Sequence, residues 1–219
     1  ILWAVLIHTV TAFLLSGLGS RAFWNTAILA PRFLVSAFAS GPAFLIAILW
    51  IVRKYSRMPV ADEIFEYLKN VMKFMLPVNL FLLGCEIFKE FYTNTLHASS
   101  AYYLYFGLHG HNMLTRYIWT SIVFNVVATI IFLIPKLRAD NRFVFAGCVL
   151  ATIGIWIEKG MGLIFPGFIP TPLGEIVEYA PNFGEILVSF GVLALGALMF
   201  TLMAKVVVAI QVGDLRVNK

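Results

Sequence analysis

The chain has 219 residues, of which 61% are hydrophobic and 12% are charged, and its mean hydropathy is +0.90. A typical soluble domain carries about 25% charged residues, so this composition excludes an ordinary soluble domain and indicates an integral membrane protein. The net charge of +5 does not indicate nucleic-acid binding, because the basic residues are distributed among separate connecting segments. We therefore expect the lipid bilayer, and no nucleic acid, as the surroundings of this chain.

Six apolar runs predict six transmembrane helices. Runs of about 20 residues match a hydrocarbon core about 30 Å thick, whereas the strands of a membrane barrel would be shorter and would alternate every second residue. The predicted spans are residues 1–18, 33–52, 74–92, 118–134, 143–165 and 186–210. The fold class is thus all-α, with a single transmembrane helical domain over residues 1–219. Because the chain begins with Ile and shows no signal peptide, we expect it to be the C-terminal portion of a longer protein.

The charge of the connecting segments predicts the orientation of the helices. Most basic residues lie in the second and fourth connections and in the tail: Arg53, Lys54, Arg57, Lys69, Lys73, Lys136, Arg138, Arg142, Arg216 and Lys219. By the positive-inside rule these segments face the cytoplasm. We expect a multi-pass protein of the inner (cytoplasmic) membrane with a cytoplasmic C-terminus. The outer connections are then residues 19–31, 93–116 and 160–184.

Three connecting segments carry further predictions of structure. Residues 59–73 have apolar positions at helical spacing after two acidic residues, a pattern that predicts an interfacial helix lying on the cytoplasmic face. Residues 93–116 combine histidines with aromatic residues, which predicts a short surface helix. Residues 160–184 are rich in proline and glycine, so we expect them to pack on protein as an outer cap over the bundle.

The third predicted span contains a carboxylate, Glu86, at membrane depth. Helical spacing places Asn79, Glu86 and Glu90 on one face, with Glu86 about 9 Å and Glu90 about 3 Å from the outer end of the span. Charged residues inside a membrane pair with one another, face a cavity or move protons. We expect Glu90 to be partly solvated at the interface. For Glu86 the alternatives are a buried structural hydrogen bond and proton uptake, and we favour proton uptake.

His8 is the histidine that falls inside a predicted span. A single histidine cannot supply the two axial ligands of a bis-histidine haem, so the remaining roles are proton relay, hydrogen bonding to a quinone, or a structural bridge between two helices. No zinc-binding pattern, nucleotide loop or serine triad is visible in the sequence. We therefore predict no metal site.

Charged residues also flank two of the predicted spans. Arg32 precedes the second span, where we expect it at the outer interface, gripping an acidic group of a partner or ligand. Glu158 lies toward the outer end of the fifth span and is a candidate second carboxylate for a cavity. Neighbouring residues on a helix point about 100° apart, so we do not expect Lys159 to pair with Glu158 and expect it to snorkel to the interface.

Three stretches together resemble the membrane subunit of the polysulfide-reductase type (NrfD/PsrC-like). They are SRAFWNTAILAPRFLVSAFASGPA at residues 20–43, LLGCEIFKEFY at residues 82–92 and IEKGMGLIFPGFIPTPLGEIVEY at residues 157–179. The resemblance is strongest to the long forms of sulfite-reduction-associated and high-molecular-weight cytochrome complexes. It covers essentially the whole chain, and its most specific part is the proline- and glycine-rich third stretch.

This resemblance implies a subunit without a redox cofactor of its own, with no haem or iron–sulfur cluster bound by this chain. Such a subunit binds menaquinone or another quinone beside a ferredoxin-like 4Fe–4S subunit on the outer face. Its complexes contain other membrane subunits and in many cases a multihaem cytochrome c. Members have eight to ten spans, so this chain would be part of a larger bundle whose N-terminal helices are missing. Carried over to this sequence, Glu86 and His8 match the membrane-embedded protonatable positions that are candidates for catalysis, and Arg32 and Glu158 are candidates for quinone binding.

Three functions are consistent with the sequence. The first is a quinone-interacting membrane subunit of an oxidoreductase that exchanges electrons between menaquinol or quinone and an extracytoplasmic iron–sulfur subunit, with membrane carboxylates handling the protons. The second is a proton-conducting or transport protein without redox chemistry. The third is a structural membrane anchor for redox subunits.

Overall fold

A computed structural model describes residues 2–56, 58–92, 98–171, 173–178 and 181–213. This part of the chain is almost entirely helical, and the only β-type pairing described is a single bridge between Leu108 and His111. The helices are α1 (Leu2–Ser16), α2 (Leu29–Tyr55), α3 (Asp62–Tyr92), α4 (Ser99–Tyr105), α5 (Thr115–Leu133), α6 (Pro135–Ala139), α7 (Asn141–Lys159), a π-helical turn (Gly160–Ile164) and α8 (Phe183–Val212). The predicted all-α class is confirmed.

Each of the six predicted apolar runs coincides with a helix. Five of these are long and apolar enough to cross a membrane, namely α2, α3, α5, α7 with its π-helical turn, and α8. The first run forms α1, which is apolar but has only 15 residues. A hydrocarbon core about 30 Å thick needs roughly 20 helical residues, so α1 as described is shorter than a full span.

The predicted interfacial helix at residues 59–73 is wrong as a separate element. Its residues from Asp62 onward are the first part of α3, which continues without interruption for 31 residues, about 46 Å. No glycine or proline lies between Asp62 and Phe74 to end a helix, and Pro77 is accommodated inside α3. The helix is therefore longer than the hydrocarbon core is thick.

The described residues group into two compact units. The first comprises Ile1–Ala47 and Asp62–Val177, and in it α3 packs on α5 and α5 packs closely on α7. Glycines on α7 permit this close approach: an added Cβ at Gly147 would lie 3.0 Å from the ring of Phe132, and one at Gly154 would lie 2.8 Å from Oδ1 of Asn125. The polar side chains discussed below lie in this unit.

The second unit comprises Ile48–Ala61 and Glu178–Lys219 and contains α8. The side chain of Asn182 accepts a hydrogen bond from the backbone of Glu185 while the Glu185 carboxylate accepts one from the Asn182 backbone, a reciprocal cap that fixes the start of this helix. Gly213 ends it with a positive φ of 82°, a conformation that glycine adopts without strain. No residue of α8 is buried, as expected of a helix that lipid or another protein covers.

The connecting segments at the end of the first unit that carries α4 pack into an apolar cluster, which includes Trp24, Tyr103, Leu104 and Ile169. We call this end of the unit the α4 end. Trp24 donates a hydrogen bond from Nε1 to the carbonyl oxygen of Leu163 over 2.8 Å, and Gly167 lies against the Trp24 ring. The prediction that the proline-rich segment packs on protein is thereby confirmed for its described residues up to Thr171. Pro172, Tyr179 and Ala180 lie outside the described residues.

The predicted short helix within residues 93–116 is present as α4. It is not a surface helix, however, because four of its seven residues are buried: Ala101, Tyr103, Leu104 and Tyr105. This short helix carries apolar and aromatic side chains on all sides. Packing them against protein removes more apolar surface from water than leaving them at an interface would. His97 lies outside the described residues.

Candidate functional site

Arg32 links two carboxylates from two other helices. Its guanidinium donates from Nη2 to Oε1 of Glu158 over 2.6 Å, and Nη1 forms an ion pair with Oε2 of Glu86. The exposed fractions of Arg32, Glu86 and Glu158 are 4%, 4% and 1%, so the three charges are shielded from solvent. Arg32 was predicted to lie at the outer interface and to grip an acidic group of a partner or ligand. The structure instead buries it and pairs it with two carboxylates of its own chain. We call Arg32, Glu86 and Glu158 the ionic cluster.

Glu158 has two further partners. Asn125 donates from Nδ2 to Oε2 of Glu158 over 3.0 Å, and Nζ of Lys159 lies 3.2 Å from Oε1. The prediction that Lys159 does not pair with its neighbour is wrong, because the four-carbon lysine side chain is long enough to fold back along the helix. The same ammonium lies 5.4 Å from the centre of the Phe33 ring.

The sequence of α7 explains how the amide of Asn125 reaches Glu158. Gly154 has no side chain, so Asn125 of α5 lies directly against the backbone of α7. Ser121, one turn earlier on α5, donates to the carbonyl oxygen of Gly154 over 2.7 Å and fixes the register of the two helices. A larger residue at position 154 would occupy the space of the amide.

The ionic cluster with Lys159 contains two cations and two carboxylates. Moving an isolated ion from water into a protein interior costs several kcal/mol, and close partners of opposite charge offset that cost. A proton added to Glu86 would leave the positive charge of Arg32 less compensated. Protonation of this carboxylate is therefore coupled to its pairing with Arg32.

Some polar atoms of this region make no hydrogen bond within the described part of the chain. They are Nε of Arg32, Oε1 of Glu86, Oδ1 of Asn125 and Nζ of Lys159, whose contact with Glu158 is an ion pair without hydrogen-bond geometry, and all are buried. A buried polar atom without a partner costs roughly 1–3 kcal/mol, so such atoms usually bind water or a ligand. Two donors and two acceptors of this region thus lack a hydrogen-bond partner in the described part of the chain.

The predicted polar face of the third span is confirmed. Asn79, Glu86 and Glu90 all lie on the buried side of α3. The expectation that Glu90 is partly solvated is wrong: its carboxylate is buried and lies 2.5 Å from Nζ of Lys89. Since α4 packs on α3, the protein itself covers a residue that its distance from the helix end had placed at the interface.

His8 lies on α1 and is half-buried. Its Nδ1 atom lies 2.8 Å from the carbonyl oxygen of Ala4, one turn earlier on the same helix. The described contacts bring Arg32, Glu86 and Glu158 together but do not join His8 to them. The role predicted for His8 stays a prediction.

Two residues of this region were missed by the sequence reasoning. Asn125 is an amide in an otherwise apolar predicted span, and that pattern was a usable signal. Tyr105, the last residue of α4, was counted among the aromatic residues expected at the interface, and nothing in the sequence distinguished it from the others. Burial raises the pKa of the Tyr105 phenol to about 12, while the charge of Arg32 lowers it and those of Glu158 and Glu90 raise it further.

A cavity of about 420 Å³ opens at the α4 end. It is lined by Ser20, Arg21, Ala22, Phe23, Ser99, Ser100, Leu108, His109, Gly167, Pro170, Thr171 and Gly174. Arg21 is fixed at its wall by a hydrogen bond of 3.2 Å from Nη1 to the carbonyl oxygen of Phe168. The ionic cluster does not line this cavity. In the described part of the chain, no three His, Cys, Asp or Glu side chains come together as a metal site.

The comparisons with known proteins point to one family of membrane subunits. The model of the family described as polysulphide reductase, NrfD, matches residues 1–170. The "Hdr-like menaquinol oxidoreductase integral membrane subunit" of Archaeoglobus fulgidus is 26% identical over 94% of this chain and 55% of its own length. A putative membrane subunit of dimethyl sulfoxide reductase from Halobacterium salinarum is 23% identical over 90% of this chain and 49% of its own length. The chain spans about half the length of these curated relatives.

Proposed function

This chain belongs to the polysulphide reductase NrfD family, and from that premise we propose that it is the quinone-interacting membrane subunit of an oxidoreductase complex. It exchanges electrons between menaquinol or quinone and an extracytoplasmic iron–sulfur subunit, while its membrane carboxylates handle protons. The names of the two relatives, a menaquinol oxidoreductase membrane subunit and a dimethyl sulfoxide reductase membrane subunit, support this proposal.

The observation that carries the proposal is the buried ionic cluster on three membrane helices. Oxidation of a quinol to a quinone releases two electrons and two protons, and the protons need acceptors inside a low-dielectric site. Glu86 holds one oxygen against Arg32 and leaves Oε1 without a hydrogen bond to a described residue. That oxygen is free to accept a proton while Arg32 keeps the carboxylate in place.

The roles of the remaining residues follow from their contacts. Arg32 and Glu158 position the cluster, and the unbonded Nε of Arg32 and Oδ1 of Asn125 offer a donor and an acceptor that fit the oxygens of a quinone or quinol. His8 is proposed as a second proton-handling group on α1. The quinone supplies the two-electron chemistry when bound, and the electrons continue to the clusters of a partner subunit.

The proposed arrangement in the membrane follows the distribution of basic residues. The α4 end faces the extracytoplasmic side of the inner membrane, because the opposite connections carry most of the positive charge, and the C-terminus is cytoplasmic. A ferredoxin-like 4Fe–4S subunit docks at the α4 end. Further membrane subunits and a multihaem cytochrome c complete the complex.

The test is Glu86→Gln in the intact complex, which keeps the side-chain volume and removes the proton-accepting carboxylate. We expect quinol-linked turnover to slow while the complex still assembles, as judged by co-purification of its subunits. Glu63→Gln is the matched control, since Glu63 lies on the exposed first turn of the same helix. Wild-type turnover of the Glu86 variant would refute the proposed role.

One observation supports the alternative that the chain is a structural anchor. The ionic cluster connects α2, α3 and α7 to one another. If Glu86→Gln and His8→Gln both keep turnover and assembly, the cluster serves as a clamp and the chain as an anchor for redox subunits. If the purified complex lacks iron–sulfur absorbance and quinone, the alternative is a proton-conducting protein without redox chemistry. Each result separates one class of function from the others.

A further inference from the structure

The cavity at the α4 end is built from connecting segments and from α4. Of its described lining residues, none belongs to a helix long enough to span the membrane, and α1 ends at Ser16, four residues before the lining residue Ser20. Segments that join the ends of membrane helices lie at the level of the lipid headgroups, because backbone outside a helix is not tolerated among the acyl chains. The volume of about 420 Å³ falls within the range of about 300–1,000 Å³ that small-molecule sites occupy.

The charge that lines the cavity is positive. Arg21 is a cation, and no acidic side chain is among the described residues of the lining. Glu175 follows the lining residue Gly174, and the contact it makes here is from its backbone N–H to the hydroxyl oxygen of Thr171 over 3.1 Å. A guanidinium group matches the geometry of a phosphate, which it can bind through two parallel hydrogen bonds. The cavity therefore favours an anion.

Arg21 is held in one orientation at the cavity wall. Its Nη1 atom donates to the carbonyl oxygen of Phe168 over 3.2 Å, and its guanidinium carbon lies 5.2 Å from the centre of the Phe168 ring. The hydrogen bond uses one of the five N–H donors of the guanidinium, so the others remain for a ligand. Because the side chain is already oriented, binding costs less of its conformational freedom.

The other polar groups of the lining are hydroxyls and one imidazole, from Ser20, Ser99, Ser100, Thr171 and His109. His109 and Gly110 form the tip of a tight turn between Leu108 and His111, with positive φ values of 51° and 86°. A positive φ is uncommon outside glycine and persists where the surrounding structure fixes it. Hydroxyls both donate and accept, so they can bind the oxygens of a phosphate and the hydroxyls of a lipid headgroup.

An exposed apolar stripe on α1 leads toward the cavity. Its residues recur three or four positions apart and so share one face of the helix, and the last lies just beyond the helix end: Trp3, Ile7, Val10, Leu14 and Leu18. The stripe and the cavity belong to the same compact unit. With 15 residues α1 is about 22 Å long, and one leaflet contributes half of the roughly 30 Å hydrocarbon core. The stripe is therefore long enough to follow an acyl chain through its leaflet.

We propose that the α4 end binds one anionic phospholipid, whose phosphate pairs with Arg21 in the cavity and whose acyl chain lies along the exposed stripe of α1. A headgroup with hydroxyls and no cation, as in phosphatidylglycerol, fits best. The hydroxyls of the lining can bond its glycerol, whereas no described lining residue is acidic and able to pair with an ammonium group. The lipid joins the connecting segments that meet around the cavity, and its site does not rest on the proposed function.

Native mass spectrometry of the intact complex tests the site. The complex is supplied with equal amounts of phosphatidylglycerol and phosphatidylethanolamine that carry the same acyl chains. We expect preferential retention of one phosphatidylglycerol, and Arg21→Gln should weaken its binding about tenfold or more through the loss of charge-assisted hydrogen bonds. Arg116→Gln is the matched control and should bind as the wild type does, because Arg116 is an exposed cation in the first turn of α5 outside the cavity lining. Equal binding by the wild type and Arg21→Gln would overturn the proposal.

The wild type alone also tests the proposal, which matters if Arg21→Gln does not assemble. Equal retention of the two lipids by the wild type would contradict a site built for an anionic headgroup. Inorganic phosphate in excess separates a lipid site from a site for free phosphate. We expect phosphatidylglycerol to stay bound, because free phosphate gains nothing from the stripe of α1, and its displacement would refute the lipid assignment. Loss of a partner subunit from Arg21→Gln with the lipid still bound would show that Arg21 faces protein instead.

Discussion

Arg32 and Glu158 are 126 residues apart in the sequence and meet over 2.6 Å inside the protein. The first lies in the opening turn of α2 and the second in the closing turn of α7. Their bond, together with the pairing of Arg32 and Glu86, fixes three membrane helices at the α4 end. The same bonds that hold these helices also hold the carboxylate proposed to handle protons.

Replacing Arg32 by leucine should strongly destabilise the protein. The change leaves Glu86 without its ion-pair partner and removes one partner of Glu158, and breaking a buried ion pair on one side costs about 3–5 kcal/mol. The measurement is the midpoint of thermal unfolding of the intact complex in detergent. Arg32→Lys should lose less, because it keeps the charge but cannot bridge two carboxylates in the same way. An unchanged midpoint for Arg32→Leu would mean that the ionic cluster does not hold the helices.

Alanine at position 154 should displace the amide of Asn125. Its Cβ would lie 2.8 Å from Oδ1 of Asn125, so the amide must move away from Glu158 or the helices must separate. Overpacking of this kind costs roughly 1–3 kcal/mol. The control is Gly84→Ala, since a Cβ on this exposed position of α3 meets nothing within 4 Å. Thermal unfolding of the two variants should therefore differ, and equal midpoints would contradict the described packing of α5 on α7.

Tyr105 should remain un-ionised well into the alkaline range. Because burial raises its pKa from 10.0 to about 12, the folded protein keeps the phenol neutral while the unfolded chain ionises it from about pH 10. A raised folded pKa contributes stability that is complete below pH 10 and is lost as the pH rises toward 12. The difference in tyrosinate absorbance between wild type and Tyr105→Phe measures this titration. A difference that appears already near pH 10 would show that the phenol is exposed.

Much of the helical architecture could be predicted from the sequence. The apolar runs coincide with the helices because a membrane helix satisfies its own backbone hydrogen bonds and needs only length and apolar side chains. The buried side of α3 was also predictable, since Asn79, Glu86 and Glu90 recur at helical spacing. The continuity of α3 from Asp62 was missed, although the absence of glycine and proline up to Phe74 was a usable signal.

The partners of the charged residues could not be predicted in the same way. Helical spacing tells which residues of one helix share a face, but not which face of another helix they meet. Arg32 was expected to grip an acidic group of a partner or ligand at the interface. Glu90 was expected in contact with solvent, and Lys159 was expected to point away from Glu158. Each expectation considered one helix alone, whereas neighbouring helices and flexible side chains decided the outcome.

The sequence by itself determined that this chain is a bundle of apolar helices with a few buried charges, because hydropathy and helical period depend only on local residue order. Only the tertiary structure decided that Arg32 joins Glu86 to Glu158, because that junction depends on how α2, α3 and α7 lie beside one another. Close packing of distant segments selects the partners of each buried charge. This selection changed Glu86 from an isolated carboxylate into a member of the ionic cluster.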